Sequence, residues 1–485
     1  MAKTMSPFVR TITELAEKEG DFISDETLKE MEEMIRFDEI QKIEPPSKPL
    51  ESKPHGRFLG LVGNDEPSNE HFGMDITPEQ AETIKKVCEA VKVMAEGGKF
   101  VCKTLGPLLG PIGTVAGVVV TLIDFMQPKE EDPVIKELGE LKTQLTALSE
   151  KVDAQFTDLK SFIVEKDFAS RYSTTMSKLF MYMIDTMTER TKKSVDLFEE
   201  VYMKDKPQEL VYEMLAKLEN EMTNPLKWAM KGDNLQSKAT FEKWKGILES
   251  VLTEALFLET YAAGLLPSIG QHGLNKILEK LTRFVELEKQ WNEYYLNTED
   301  FWPAGVKKLV NEIHENKGLH NHQDMVNALW EGIKTIHTNF QFLAAVFEER
   351  HIYGYYKHYE DQAIVSVRDG YVIMVYRSVK NPPRTKEWLQ SYAKDHLMDQ
   401  EIEDRLQFNK WSLVRSHFNQ ENMDDVGKAT GTFFFAVVQY TENIATKHFF
   451  QGECDGPGFM SYRGRITAHY FLGNDRFPLF VVLGA

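Results

Sequence analysis

Three short segments of the sequence hold residue types that could do chemistry. His314-Glu315 begins like the helical zinc motif of metalloproteases, but the second histidine, four residues after the first, is absent. Gly427-Lys428-Ala429-Thr430 lacks the earlier glycine of a phosphate-binding loop and has no Ser or Thr directly after the lysine. Cys454 lies in a glycine-rich segment, and a reactive thiol there would need a neighbouring base or cation. We therefore expect no catalytic residue, no metal ligand and no cofactor, and the protein is not expected to be an enzyme.

The most unusual segment is apolar. Between Lys103 and Asp124 lie 20 residues without a charge, which is the length of a membrane span. Its ten Leu, Ile and Val residues favour insertion by roughly 3–6 kcal/mol, from which Gly, Pro and Thr subtract, so the total is marginal. Pro107 and Pro111 predict a break in its first half. Four glycines are spaced so that another helix could approach closely: Gly106, Gly110, Gly113 and Gly117.

The elements that would position this segment are long helices. Thr77-Pro78 is a helix start, with Thr as the N-cap and Pro at the first helical position. Amphipathic stripes with helical spacing follow, and they predict a bundle over residues 76–352. The stripes comprise Leu138, Leu141, Leu145, Leu148 and Val152, then Phe156, Leu159 and Ile163, then Phe241, Trp244, Leu248, Val251 and Ala255, then Leu274, Ile277, Leu281 and Phe284. A last stripe comprises Val326, Leu329, Ile333, Ile336, Phe340, Leu343 and Phe347.

Other segments flank this bundle. Residues 1–44 are acidic and predict a helical appendage from about 25 to 43, joined by a proline-rich flexible linker over 45–75. In the last third, β-rich runs flank Asp369-Gly370, which is a hairpin signal. A helix is expected from 385 to about 408, and strands over 432–441, 447–451, 461–472 and 477–483. The fold class predicted is mainly α, a long-helix bundle with a smaller C-terminal α+β or β-rich domain over 355–485.

Charge and cysteine content bound the function. The 57 Lys and Arg residues face 75 Asp and Glu residues, a net charge of −18, which argues against nucleic acid as a partner. Three cysteines are too few for a disulfide framework. Residues 1–7 lack the apolar run of a signal peptide, so a cytoplasmic, soluble form is expected. A leader missing from the sequence would instead imply a secreted or membrane-associated protein.

Two parts of the sequence together resemble a known family. They are the run Gly110-Pro111-Ile112-Gly113-Thr114-Val115-Ala116-Gly117-Val118-Val119-Val120 and the helix containing Lys151-Val152-Asp153-Ala154-Gln155-Phe156-Thr157-Asp158-Leu159-Lys160. Over roughly residues 80–350 the chain resembles the jellyfish-toxin family and the related rapunzel-type proteins. The helical part of that family is similar to the pore-forming domain of the insecticidal crystal toxins. The resemblance implies a lipid membrane as partner, homo-oligomers, and a C-terminal domain that binds a receptor.

The leading hypothesis is a membrane-binding, pore-forming-toxin-like protein that inserts segment 104–126. The residues predicted to enter lipid are Leu109, Ile112, Gly113, Val115, Gly117, Val118, Val119, Val120, Leu122 and Ile123. The alternative is a non-enzymatic, cytosolic helical interaction protein in which the same helix is buried core.

Overall fold

The structure is a computed structural model, and it places helices first and strands last. It describes residues 78–95, 102–125, 133–157, 168–266, 268–269, 272–319, 321–349, 352–357, 363–378, 384–397, 399–406, 408–419, 421–422, 425, 428, 434–439, 444–449 and 459–484. The predicted appendage and linker of residues 1–75 lie outside these ranges. All described strands lie between residues 342 and 484, which confirms a mainly α fold with a smaller C-terminal α+β region.

The helices before the strands follow one another closely along the chain. They are α1 (Pro78–Ala95), α2 (Cys102–Phe125), α3 (Pro133–Thr157), α4 (Thr174–Glu189), α5 (Lys192–Lys204), α6 (Pro207–Glu219), α7 (Pro225–Gly232), α8 (Lys238–Leu265), α9 (His272–Asn297), α10 (Ala304–Glu315) and α11 (His322–Ile333). A π-helical turn, Ala169–Ser173, precedes α4. The first helix begins at Pro78, as a proline at the first helical position predicts.

The chain divides into two compact units. Unit 1 contains Met1–Trp228 and Lys243–Glu288, and unit 2 contains Ala229–Glu242 and Lys289–Ala485. Unit 2 thus combines α10 and α11 with the strands, whereas the sequence pattern placed these two helices in the bundle of residues 76–352.

The core of unit 1 is built from the predicted stripes. On α3, Leu138, Leu141, Leu145 and Leu148 are buried, as their 3-4 spacing predicted. The predicted apolar residues of α8 and α9 are buried as well. From Val251 to Ala262 every residue of α8 is buried, so this helix has no solvent face over three turns. We conclude that α8, not α2, is the enclosed helix of this unit.

Unit 2 contains two sheets. Their strands are β1 (Phe342–Glu348), β2 (Ile352–Lys357), β3 (Ala363–Arg368), β4 (Tyr371–Arg377), β5 (Glu401–Asp404), β6 (Phe434–Gln439), β7 (Ala445–Phe449), β8 (Phe459–Tyr470) and β9 (Gly473–Gly484). The first sheet has the order β3-β4-β1-β7 and the second the order β2-β6-β9-β8-β5. Neighbouring strands are antiparallel except β5 and β8, which are parallel.

The sheets and helices of unit 2 form layers. Along β1, side chains alternate: Phe342, Ala344 and Val346 pack with α10 and α11, and Leu343, Ala345 and Phe347 face the other way. That second cluster includes Phe480 of β9, so the first sheet meets the second there. On its other side the second sheet packs against α12 (Lys386–Tyr392) and α13 (Lys410–His417). Because β1 is covered on both faces, it reads as a continuous apolar run.

The hairpin prediction is confirmed. Strands β3 and β4 pair antiparallel, with Arg368 opposite Tyr371. Asp369 and Gly370 form the turn with φ of 52° and 78°. Both values are positive, as a type I′ turn requires, and Asp and Gly tolerate them better than most residues.

Two helix predictions are wrong. The stripe from Ile336 to Phe347 predicted helix, but α11 ends at Ile333 and β1 begins at Phe342. Its last six residues, Phe342–Phe347, are all apolar, and a short apolar run satisfies both helical and strand spacing. Pairing within the sheet decided that this run forms a strand. The helix expected over 385–408 stops after a π-helical turn at Leu397, because Glu401–Asp404 pairs with β8.

An arginine is buried at the end of β4. The Arg377 side chain is 1% exposed, and its Nη2 lies 3.0 Å from Glu299 Oε2. Its guanidinium lies 4.5 Å from the Phe340 ring centroid and 5.3 Å from that of Trp302. Arginine stacks on aromatic faces in this way when its charge is partnered, so this cluster ties β4 to the segments before α10 and β1.

Candidate functional site

The glycine-rich segment forms one continuous helix, α2, from Cys102 to Phe125. The predicted break at Pro107 and Pro111 is therefore wrong. Proline has a helical φ, so a helix passes through it at the cost of one backbone hydrogen bond and some local crowding. All ten residues predicted to enter lipid lie on this helix.

These ten residues divide by exposure. The larger side chains Leu109, Ile112, Val115, Val118, Val119 and Leu122 are buried in the protein. Gly113, Val120 and Ile123 are half-buried, and Gly117 is exposed. The bundle thus takes up six of the large apolar side chains, and Gly113, Gly117, Val120 and Ile123 are less buried.

The outer face of α2 carries no charge. Thr114 is exposed and donates its hydroxyl to the Gly110 carbonyl at 3.3 Å, and Thr121 donates to the Gly117 carbonyl at 3.0 Å. The hydroxyls are therefore satisfied within the helix. Neighbouring helices in unit 1 have ordinary charged outer faces, with Lys85 and Glu89 exposed on α1 and Lys142 on α3.

The close approach between helices involves a glycine outside α2. A Cβ at Gly113 or Gly117 would meet no atom within 4 Å. A Cβ at Gly264, near the end of α8, would lie 2.8 Å from the Gly113 carbonyl oxygen and 2.9 Å from the Ala116 Cβ. Nothing in the sequence marked Gly264 as a contact, because a glycine gives no signal for what packs against it.

The enclosed helix α8 carries a buried carboxylate. Glu259 is 1% exposed. The Tyr202 hydroxyl donates to its Oε2 at 2.8 Å, and the Gln208 backbone N–H donates to its Oε1 at 3.0 Å. Burial raises the pKa of the Glu259 carboxyl, although both hydrogen bonds oppose the shift. Glu259 therefore joins α5 and the start of α6 to α8, and sequence reasoning missed it because a lone Glu in a helix is usually solvated.

In unit 2, a buried histidine likewise joins separate segments of the chain. The ring of His337 stacks on Phe241 with centroids 4.7 Å apart, and its Nε2 lies 2.9 Å from Asn292 Oδ1. Burial lowers the pKa of His337, because the protonated ring would lose hydration.

The segments considered for enzyme chemistry do not meet in a site. His314 lies on α10, where burial lowers its pKa. Of the lysine segment only Lys428 is described, and Cys454 lies outside the described residues. Within the described ranges, no three His, Cys, Asp or Glu side chains are grouped to hold a metal ion.

In the part of the chain that the structure describes, no helix combines enough length with enough apolar character to cross a membrane.

The middle and C-terminal parts of the chain match a known family. Residues 136–469, more than half of the sequence, match the family described as "Protein of unknown function (DUF684)". The chain belongs to the DUF684 family. The DUF684 match begins within α3, so the glycine-rich helix lies before it, while Glu259, His337 and Arg377 lie inside it. No curated protein and no solved structure matches this DUF684 chain.

Proposed function

We propose that this DUF684 protein binds lipid membranes by inserting its glycine-rich helix α2, and that assembled copies permeabilise the bilayer. The proposal agrees with the resemblance of residues 80–350 to the jellyfish-toxin family. The protein would act from an aqueous compartment, and the cytoplasm is the one that the sequence predicts.

One observation carries the proposal. Helix α2 has no charge on any side from residue 104 to 123, and the hydroxyls on its exposed face are bonded within the helix. A surface helix ordinarily has a charged outer face, as α1 and α3 do. A helix without charge and with satisfied hydroxyls loses little by leaving water for lipid, since its hydroxyls and its backbone groups, apart from the two carbonyls that Pro107 and Pro111 leave without an N–H partner, keep their hydrogen bonds.

The length of the helix bears on how it would insert. The uncharged residues 104–123 form a stretch of about 30 Å at 1.5 Å per residue. The hydrocarbon core is about 30 Å thick. A single helix leaves no aqueous path across the bilayer, so we propose that leakage requires several copies of α2 packed through the open face at Gly113 and Gly117.

A charge on the exposed face tests insertion without disturbing the core. Thr114→Lys places an ammonium where solvent already lies, so the bundle should fold as before. In lipid the same lysine costs about 2.5–3.5 kcal/mol, which weakens insertion roughly a hundredfold. Thr146→Lys on α3 is the matched control, because Thr146 is also exposed and bonds the carbonyl four residues before it.

The assay is dye release from liposomes, together with co-sedimentation. Thr114→Lys should lose release while Thr146→Lys keeps it, and both should have the parent's circular dichroism and melting. Release by Thr114→Lys at the parent's rate would show that α2 does not enter lipid.

Assembly is tested separately with Gly113→Leu and Gly117→Leu. Both Cβ directions are open, so these variants should fold, and leucine favours helix over glycine by up to about 1 kcal/mol. Lipid binding should persist, but leakage should fall because the bulk keeps helices apart. Unchanged leakage in both variants would exclude assembly through the glycines.

The second candidate is a non-enzymatic interaction protein. The same open face at Gly113 and Gly117 would let a partner helix approach closely. If the parent neither sediments with liposomes of anionic, zwitterionic or sphingolipid-containing composition nor releases dye, this second function takes the place of the first.

A further inference from the structure

An exposed apolar patch lies at one end of the second sheet of unit 2. Two of its residues, Leu406 and Phe408, lie between β5 and α13, and the other two, Phe471 and Leu472, form the turn between β8 and β9. Their exposed fractions are 84%, 66%, 57% and 70%. Large apolar side chains at such exposure are costly in water, and four together mark an interaction surface. We call these four residues the tip patch.

The fold brings the two segments together. Strands β5 and β8 are parallel, with Asp404 opposite Tyr470. Both strands therefore leave the sheet at the same end, and the residues that follow them meet there. The rings of Phe408 and Phe471 lie 4.6 Å apart between centroids. Residues far apart in sequence thus come together at one surface, independently of α2.

The size and exposure of the tip patch favour lipid over protein. From its exposed fractions the patch offers on the order of 500 Å² of apolar surface. A symmetric dimer through it would bury about 1,000 Å², below the roughly 1,200–2,000 Å² of stable interfaces. The patch consists of the turn between β8 and β9 and the segment after β5, and its four side chains are mostly exposed. Exposed Phe and Leu side chains suit the boundary between headgroups and acyl chains.

The neighbouring charges indicate the kind of lipid. Arg405 donates to Glu403 Oε1 at 2.6 Å, so this cation is already neutralised. Asp475 accepts from the Tyr470 hydroxyl at 3.1 Å. The whole chain carries a net charge of −18, which repels anionic lipid. Hydrophobic contact with a zwitterionic surface is the favourable combination.

We propose that the tip patch docks the protein on zwitterionic lipid bilayers by inserting Leu406, Phe408, Phe471 and Leu472 into the interfacial region. This adds to the proposed function a docking site in unit 2, and it does not rest on insertion of α2.

The test uses the full chain and sucrose-loaded phosphatidylcholine vesicles. The double variant Phe408→Ser/Phe471→Ser removes the two rings in contact, and both positions are exposed, so folding should persist. Its partition coefficient should fall at least about tenfold, because much of the apolar contact is lost. The matched control is Met222→Ser/Val367→Ser, which removes two exposed apolar side chains elsewhere, 75% and 51% exposed, and should bind like the parent.

The outcomes separate this proposal from the previous one. Equal binding by the parent and the Phe408→Ser/Phe471→Ser variant overturns docking through the tip patch, as does an equal loss in the control. A parent that does not sediment with phosphatidylcholine vesicles also overturns it, and leaves the patch to a protein partner. Thr114→Lys should still dock while losing dye release, whereas a parent that docks but never leaks would contradict permeabilisation through α2 and leave docking through the tip patch standing.

Discussion

The contact between α2 and α8 makes a sharp prediction about Gly264. In Gly264→Ala the new methyl carbon would lie 2.8 Å from the Gly113 carbonyl oxygen and 2.9 Å from the Ala116 Cβ. Carbon atoms pack at about 3.5–4.0 Å, so the two helices must separate by about 0.5–1 Å. Neither neighbour can yield by itself, because one is backbone and the other is a one-carbon side chain.

The expected magnitude follows from two opposing terms. Overpacking of this kind costs about 1–3 kcal/mol. Alanine favours helix over glycine by about 1 kcal/mol, but Gly264 is the last residue but one of α8, where this gain is smaller. We expect a net loss of about 1–2 kcal/mol. Gly117→Ala is the control, since its Cβ meets no atom within 4 Å, and it should gain about 0.5–1 kcal/mol.

Urea unfolding followed by circular dichroism measures both changes. The midpoint should fall for Gly264→Ala and rise for Gly117→Ala, a contrast of about 2 kcal/mol. Because Ala116→Gly removes one of the two overlaps, Gly264→Ala should cost less in the Ala116→Gly background than in the parent, although Ala116→Gly is itself destabilising. If Gly264→Ala is as stabilising as Gly117→Ala, the close approach of α2 to α8 at this position does not exist.

Three further predictions concern buried polar residues. Burial raises the pKa of Glu259 above its unfolded value, so its contribution to stability is complete below the unfolded pKa and is lost as pH rises through the folded pKa. Glu259→Gln should therefore weaken the pH dependence of the free energy of unfolding, measured in unfolding curves from pH 5 to 8. An unchanged slope would contradict this prediction. For His337 the pH dependence of stability has the opposite sign. Its pKa is lowered by burial, so its contribution to stability is present above the unfolded pKa and is lost as pH falls through the folded pKa. His337→Gln should therefore reduce the loss of stability at acidic pH in thermal melts, and a steeper loss would be the contrary result. Arg377→Ala should lower the free energy of unfolding by about 3 kcal/mol or more, because it empties a buried site. Arg377→Met keeps most of the volume and leaves the exposed Glu299 to water, so it should be much less destabilising in denaturant titrations. Equal losses in the two variants would mean that charge, not packing, dominates.

Local patterns predicted much of the fold. The leucines of α3 follow a helical period and are buried together. Asp369-Gly370 predicted its turn, because only a few residue types accept two successive positive φ values. Each signal comes from neighbouring residues, so no knowledge of distant contacts was needed. Where a pattern suited two structures, as in the apolar run Phe342–Phe347, distant strand pairing made the choice.

The candidate site divides in the same way. From sequence alone, α2 is known to be apolar, uncharged and rich in glycine, because these are properties of its residue types. Tertiary packing decided which side of α2 faces solvent. It also decided that Gly264, and not Gly113 or Gly117, provides the space for the neighbouring helix. Likewise, nothing local distinguishes Glu259 from a solvated glutamate, or joins Phe408 to Phe471. Burial and proximity depend on chain segments far away in sequence, and only the folded structure brings those segments together.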